Sequence, residues 1–378
     1  MSQRRILQLL HEPGDSVATM ADEYTRALDR TQFQVTIAYL FSIEDPVIRA
    51  ASPADTVIFC DFPRRERGGL RCQALAGLRR LCLEGHYDTI ICHRHKAAYL
   101  VAWLARRWKC RPRLIYVVHG TQPLSHFPGL VRRWMMHWLI HPQFEFIAVS
   151  EALRQDFLRS YRINPAKITT VHNSLHIPAL DQHLCSRAEA RQILGLPLDA
   201  CVFGNIGRLV PFKHQLLLLQ AFASIASSLE TGHLIIIGAG PCQAELRAYW
   251  AQLPSPLQAR IHLHGVIPNA ARLMPAFDAF VLSSLDEPFG LVLLEAMCAH
   301  LPIIAHASGG VPEVLGDTAL MLHEHSASAF AQAMLQVAAW PMVERTQRGE
   351  LSRARLEARF AMSQVGTYLA QPTESVRC

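Results

Sequence analysis

The chain has 378 residues, of which 50% are hydrophobic and 18% charged, a composition that excludes disordered, collagen-like and coiled-coil chains. One hydrophobic core usually stops growing below about 250–300 residues, so the length predicts two domains. The net charge of +6 is unevenly placed: residues 1–176 carry 24 Lys and Arg against 15 Asp and Glu, residues 177–378 carry 13 against 16.

A basic first half offers a surface to lipid headgroups, phosphorylated glycans or nucleic acid, or is simply a solvated face. The ten cysteines include no C-x-x-C pair, and the nearest, such as Cys82 and Cys92, stand ten apart. That spacing excludes a metal-ligand cluster and points to buried thiols in a reducing compartment. No apolar run reaches the roughly 18 residues that cross a bilayer. The start, Met1–Leu10, runs from charge straight into a strand-like stretch, so no leader is expected and the predicted location is cytoplasmic.

Short β-rich runs alternate with helix-period segments, the pattern of parallel sheets covered by helices. In the first half, strands are predicted at 5–10, 34–39, 57–61, 89–92, 114–119 and 146–149. Between the fourth and fifth lies an apolar stretch with Trp103, followed by the basic residues Arg106, Arg107 and Lys109. The fifth strand ends in Tyr116-Val117-Val118-His119-Gly120. Next, Gly129–His141 has the spacing of an amphipathic helix, with Val131, Trp134, Met135, Trp138 and Leu139 on one stripe and Arg132, Arg133, Met136 and His137 opposite. Such a helix either packs on its own sheet or lies in a lipid interface, where indole and guanidinium both find partners. With the basic first half behind it, membrane contact through Arg132, Arg133, Trp134 and Trp138 is the expectation.

Residues 172–196 mix Asn, Pro, His and charged residues around a short helical stretch at 187–194, which puts the hinge at 173–178 and the boundary at 176. The second half has predicted strands at 201–205, 234–237, 261–264, 279–283, 302–305 and 319–322. The expected organisation is 1–176, 177–355, and a C-terminal helix within 356–378 that packs back on the first domain. Ligands of open α/β sheets bind beyond the carboxyl ends of the strands, so chemistry is sought there.

The strongest local signal is Glu287-Pro288-Phe289-Gly290-Leu291-Val292-Leu293-Leu294-Glu295, directly after a strand. A proline just inside the start, an acid ahead of it and an apolar run behind it predict a helix opening at Pro288. A helix N-terminus offers unpaired N–H groups to an anionic or hydroxyl-rich ligand. Glu287 at its mouth and Glu295 about two turns along then accept from two sets of sugar hydroxyls, unless Glu287 is a plain cap and Glu295 solvated.

This Glu-x7-Glu arrangement resembles the donor site of family 4 glycosyltransferases, and the resemblance spans nearly the whole second half. Gly204-Asn205-Ile206-Gly207-Arg208-Leu209-Val210-Pro211-Phe212-Lys213 is similar to the family's Gly-Arg-Leu followed by a lysine, which implies that Arg208 and Lys213 grip a diphosphate. Leu234–Pro241 resembles the family's strand and glycine turn; as a dinucleotide fingerprint it is incomplete, with Gln243 where a third glycine belongs. Leu263-His264-Gly265-Val266-Ile267-Pro268 looks like the stretch that meets the nucleotide base, which places Ile267 there. Ala307–Glu313 resembles the glycine-rich turn closing the donor pocket, or is only a strand-to-helix turn. His119 matches a histidine that faces the donor sugar, to bond a hydroxyl or orient the acceptor. Many relatives carry paired glycines after the first strand; here Leu10-His11-Glu12-Pro13-Gly14-Asp15-Ser16 retains Gly14 alone for a close backbone approach, with Glu12 or Asp15 available for acceptor selection.

The resemblance implies the GT-B architecture, two Rossmann-like doubly wound α/β domains facing across a cleft. It also implies retaining transfer of a hexose from a nucleotide diphosphate sugar, UDP favoured, onto a membrane-associated glycan such as lipopolysaccharide core. The expected catalytic residues are His119, Glu287, Arg208 and Lys213. The donor site adds Gly14, Gly207, Ile267, Phe289, Gly290, Leu291 and Glu295. No Asp-x-Asp metal motif precedes a sugar-binding strand, so no metal and no cofactor is expected beyond the sugar nucleotide. The expected partners are the donor, the lipid-linked acceptor and the inner face of the cytoplasmic membrane, with no nucleic acid. A sugar-nucleotide epimerase, a noncatalytic sugar-nucleotide binder and an NAD-linked oxidoreductase are the rival readings.

Overall fold

The computed structural model describes residues 3–14, 16–62, 72–106, 108, 112–120, 129–360 and 363–371. Asp15, Arg107 and Lys109 lie outside the described residues, as does the Arg132 side chain. The described chain forms two compact units, one from Met1–Ser174 with Met362–Cys378 and the other from Leu175–Ala361.

The first unit is built on seven strands: β1 (Arg4–Leu10), β2 (Phe33–Tyr39), β3 (Thr56–Phe59), β4 (Thr89–Cys92), β5 (Arg113–Val118), β6 (Glu145–Ala148) and β7 (Ile168–Thr170). They pair in parallel in the order β3-β2-β1-β4-β5-β6-β7. Continuous apolar runs such as Ile90-Ile91-Cys92 and Leu114-Ile115-Tyr116-Val117-Val118 are buried, as parallel strands covered on both faces require. Gln8 interrupts one such run and is itself fully buried. The order reverses between β1 and β4, which makes their carboxyl ends the natural crevice of this sheet.

The second unit repeats the plan with β8 (Cys201–Ile206), β9 (Gly232–Ile237), β10 (Ile261–His264), β11 (Ala279–Leu282), β12 (Ile303–His306) and β13 (Leu320–Leu322), ordered β10-β9-β8-β11-β12-β13. Its core gathers Phe203, Phe222, Ile236, Val281 and Phe330, and its reversal lies between β8 and β11. Ahead of β11, buried Asp278 accepts from Arg191 Nη2 and from the backbone N–H of Val202, each at 2.8 Å, and from Arg187 Nη2 at 2.7 Å. Arg191 has no exposed surface. This cluster ties β8 and β11 together at the end remote from their carboxyl termini.

Three sequence expectations change. β7 was not foreseen, because three residues with two threonines carry little apolar signal. The helix after β11 begins at Leu291, with Gly290 as its N-cap at φ 86°, so Pro288 precedes it. In the segment 129–141, an α-helix (Gly129–Met135) passes into a π-turn (Met136–Ile140), whose His141 N–H donates to Met136 O at 2.8 Å. The wider turn shifts the direction in which each later side chain projects. Met135, Met136, Leu139 and Ile140 face inward, whereas Leu130, Trp134 and Trp138 are 82%, 61% and 66% exposed. Met136 therefore leaves the polar side predicted for it, and the tryptophans leave the stripe they were to share with Met135 and Leu139.

At the C-terminus, one helix (Met342–Arg359) ends in the second unit and another (Ser363–Ala370) belongs to the first. There Arg4 Nη2 donates to Ala370 O at 2.9 Å, and the Arg113 guanidinium lies 5.3 Å from the Tyr368 ring centre.

Candidate donor site

In the second unit the predicted motifs meet at the carboxyl ends of β8 and β11. After β8, Gly207, Arg208, Leu209 and Val210 lead into a single 3-10 turn, Pro211–Lys213. Two bonds tether that turn to the segment after β11: Ser283 Oγ donates to Lys213 O at 2.7 Å, and Leu285 N–H to Phe212 O at 2.8 Å. They bring Lys213 Nζ to 2.5 Å from Glu287 Oε2, with both side chains largely buried. Arg208 is exposed, its own carbonyl held by Gln215 Nε2 at 3.0 Å, and it makes no ion pair among the described residues. The loop after β8 thus carries an exposed guanidinium at Arg208 and a largely buried, ion-paired ammonium at Lys213, two cations of the kind that bind a dianion.

Glycines let the backbone close around this point. Gly238 follows β9 at φ 151°, and a Cβ there would stand 1.9 Å from Gly207 O. Gly309, at φ 56°, would put a Cβ 2.1 Å from Glu287 O. The neighbouring Gly310 N–H donates to that same carbonyl at 2.8 Å. That contact holds Glu287 and Pro288 as a loop, which is why the helix starts three residues later than its sequence signals. Glu295 is then about one turn from the helix start. It makes no ion pair among the described residues, and its carboxyl is pushed up by desolvation to about 7.

Of the other predicted donor residues, Gly207, Ile267 and Leu291 are partly exposed and Gly290 is buried as the cap. Phe289 is buried with its ring edge-on to Phe360, 5.8 Å between centres. Three histidines that the motifs do not include are grouped at this end of the sheet. His325 Nε2 donates to Ser283 O at 2.8 Å, and its ring lies 4.7 Å from those of both His214 and His306. Burial, then the neighbouring His325, lowers the pKa of His214 and of His306. A signal for them exists in the sequence, since His306 ends β12 as His119 follows β5.

In the first unit, Gly14 follows β1 at φ 82° with open space around it, and His119 follows β5. His119 Nε2 lies 3.1 Å from Nδ1 of His93, which follows β4 and is buried. His93 was not among the expected site residues although it too stands at a strand end. Burial pushes its pKa down to about 3.

Two family models match the chain: "Glycosyl transferase 4-like domain" over residues 16–174 and "Glycosyl transferases group 1" over 200–339. This chain belongs to the family 4 glycosyltransferases. A D-inositol 3-phosphate glycosyltransferase of Actinosynnema mirum is 27% identical over 315 residues, 75% of this chain and 72% of that one. The curated glycosyltransferases it matches in this way are covered over 59% to 72% of their own length. The glycosyltransferase shares its GT-B fold with Anabaena HepE, solved with UDP-glucose, at TM-score 0.81 and 22% identity over 97% of this chain and 98% of that one. WaaG, a glycosyltransferase involved in lipopolysaccharide biosynthesis, aligns at TM-score 0.71 and 15% identity over 98% of this chain and 100% of its own.

No helix of the described glycosyltransferase is long and apolar enough to cross a membrane. No group of three or more His, Cys, Asp or Glu side chains able to hold a metal occurs among its described residues.

Proposed function

We propose that this glycosyltransferase transfers a hexose, with retention, from a UDP-sugar to a membrane-associated glycan. The observation that carries the donor half is the Lys213–Glu287 pair at the carboxyl ends of β8 and β11, with Arg208 in the same loop as Lys213. As the glycosidic bond breaks, the leaving nucleoside diphosphate gains charge, and fixed cations at that point stabilise it without a metal. In this reading Lys213 and Arg208 hold the diphosphate, Glu287 the transferred sugar, and Glu295 the ribose. His119 takes a sugar hydroxyl, and the phosphate oxygen of the donor removes the acceptor proton on the face the leaving group vacates. The UDP and UDP-glucose bound by HepE support the choice of nucleotide.

For the acceptor, the exposed Leu130, Trp134 and Trp138 beside Arg133 support a lipid interface, as does the part WaaG plays in lipopolysaccharide biosynthesis. The curated relatives favour a second reading, a small phosphorylated polyol like D-inositol 3-phosphate. Thermal melting with a panel of nucleotide sugars tests the donor, since a ligand of the folded state alone raises the melting point. Absence of any shift with UDP-sugars overturns it. Transfer assays offering lipopolysaccharide core in vesicles against inositol phosphate in solution then decide the acceptor.

A further inference from the structure

The tautomer of His119 is dictated from a strand two positions away in the sheet. Gln8, on β1, donates from its amide nitrogen to Ala21 O at 2.9 Å and to Thr25 Oγ1 at 2.7 Å, while the Thr25 hydroxyl donates to Ala21 O at 2.8 Å. A backbone carbonyl only accepts, so this end of the amide is the NH2 group, and its oxygen must be the atom 2.8 Å from His93 Nε2. An amide oxygen also only accepts, so His93 Nε2 carries a proton. Fully enclosed and held neutral, His93 has none left for Nδ1. That lone pair faces His119 Nε2 at 3.1 Å, and two bare nitrogens at such a distance repel. His119 Nε2 therefore donates. Burial, reinforced by His93 and Arg94, keeps His119 neutral as well, which leaves its Nδ1 bare.

We propose that Gln8 and His93 are positioning residues that lock His119 with its proton on Nε2. The lock makes Nδ1 a hydrogen-bond acceptor for a hydroxyl of the transferred sugar. The lock rests on the hydrogen-bond geometry together with the burial that keeps both rings neutral; the identity of the hydroxyl rests on the donor reading above. A chain of fixed polarity would let the enzyme recognise a hydroxyl, which can donate, and reject a group at that position that only accepts.

The relay is tested first on the free enzyme by heteronuclear NMR of labelled histidine. A pyridine-like Nδ1 and a pyrrole-like Nε2 on His119 are expected, and the reverse assignment overturns the proposal. In Gln8→Leu and in His93→Phe the two tautomers should mix; an unchanged His119 in both variants overturns the relay even if its tautomer is as stated. The ligand half is read with UDP-glucose and analogues each lacking one sugar hydroxyl. His93→Phe should lower kcat/KM for UDP-glucose about tenfold, the worth of one hydrogen bond, with its melting point recorded alongside. It should also lose the wild-type discrimination against one analogue. Retained discrimination against every analogue, with an altered tautomer, overturns the ligand half. A wild-type enzyme that turns over no UDP-sugar overturns the donor reading and the ligand half with it, while the NMR result still decides the lock.

Discussion

Lys213 Nζ and Glu287 Oε2 stand 2.5 Å apart although 74 residues separate them in the chain. Each is largely buried, so removing either leaves the other enclosed without its ion-pair partner. Their pairing joins the cation assigned to the diphosphate with the carboxylate assigned to the sugar, and it determines what their removal does.

Lys213→Ala should lower turnover of the donor by about 10²–10³, the size seen when one fixed donor to a developing anion is lost. It should also destabilise the fold by on the order of 3 kcal/mol, because Glu287 is left buried and unpaired. Adding Glu287→Ala should restore much of the stability and none of the activity. Turnover by Lys213→Ala at the wild-type rate, measured on folded protein, would remove Lys213 from the proposed mechanism.

The Glu295 carboxyl gives stability a pH dependence of known sign. Its folded pKa of about 7 lies above its ordinary 4.5. Between those values the folded state keeps a proton that the unfolded state has released, so this residue makes stability fall as pH rises through that window. Glu295→Gln cannot ionise. Thermal melts of the variant should match wild type near pH 4.5 and exceed it above pH 7; an equal gap at both ends would show that the carboxyl is not desolvated.

Asp278 is the shared acceptor of Arg187, Arg191 and the Val202 N–H. Asp278→Ala leaves the enclosed Arg191 without its counter-charge, and a loss of about 3–5 kcal/mol is expected from denaturant titration. Arg187→Ala removes the more exposed partner, 42% exposed against none for Arg191, and should cost about 1 kcal/mol or less. Equal losses in the two variants would contradict the hub.

Gly309→Ala meets both the positive φ and the Glu287 carbonyl 2.1 Å from the new Cβ. A loss well above about 1 kcal/mol is expected, together with weaker nucleotide-sugar binding as the Glu287 loop moves. Gly195→Ala is the control, since it shares the positive φ with open space around it; similar effects on binding would show that the close approach to Glu287 is immaterial.

Much was legible in the sequence because it is local. Buried parallel strands announce themselves as unbroken apolar runs, and β4 and β10 fall on the residues predicted for them. Arg208, Lys213, Glu287 and Glu295 were likewise marked by strand ends and helix-start chemistry. Those signals depend only on near neighbours in the chain, so no tertiary information is needed to see them.

Tertiary structure decided the rest. The helix start moved from Pro288 to Leu291 because Gly310, from beyond the next strand, binds the Glu287 carbonyl. Trp138 projects outward from a π-turn that composition does not encode, and Trp134 already faces out in the α-helix before it. The Gln8–His93–His119 chain exists because β1, β4 and β5 are neighbours in the sheet. Strand order is a property of the whole packed core, and hydrogen bonds that cross strands inherit their partners from it.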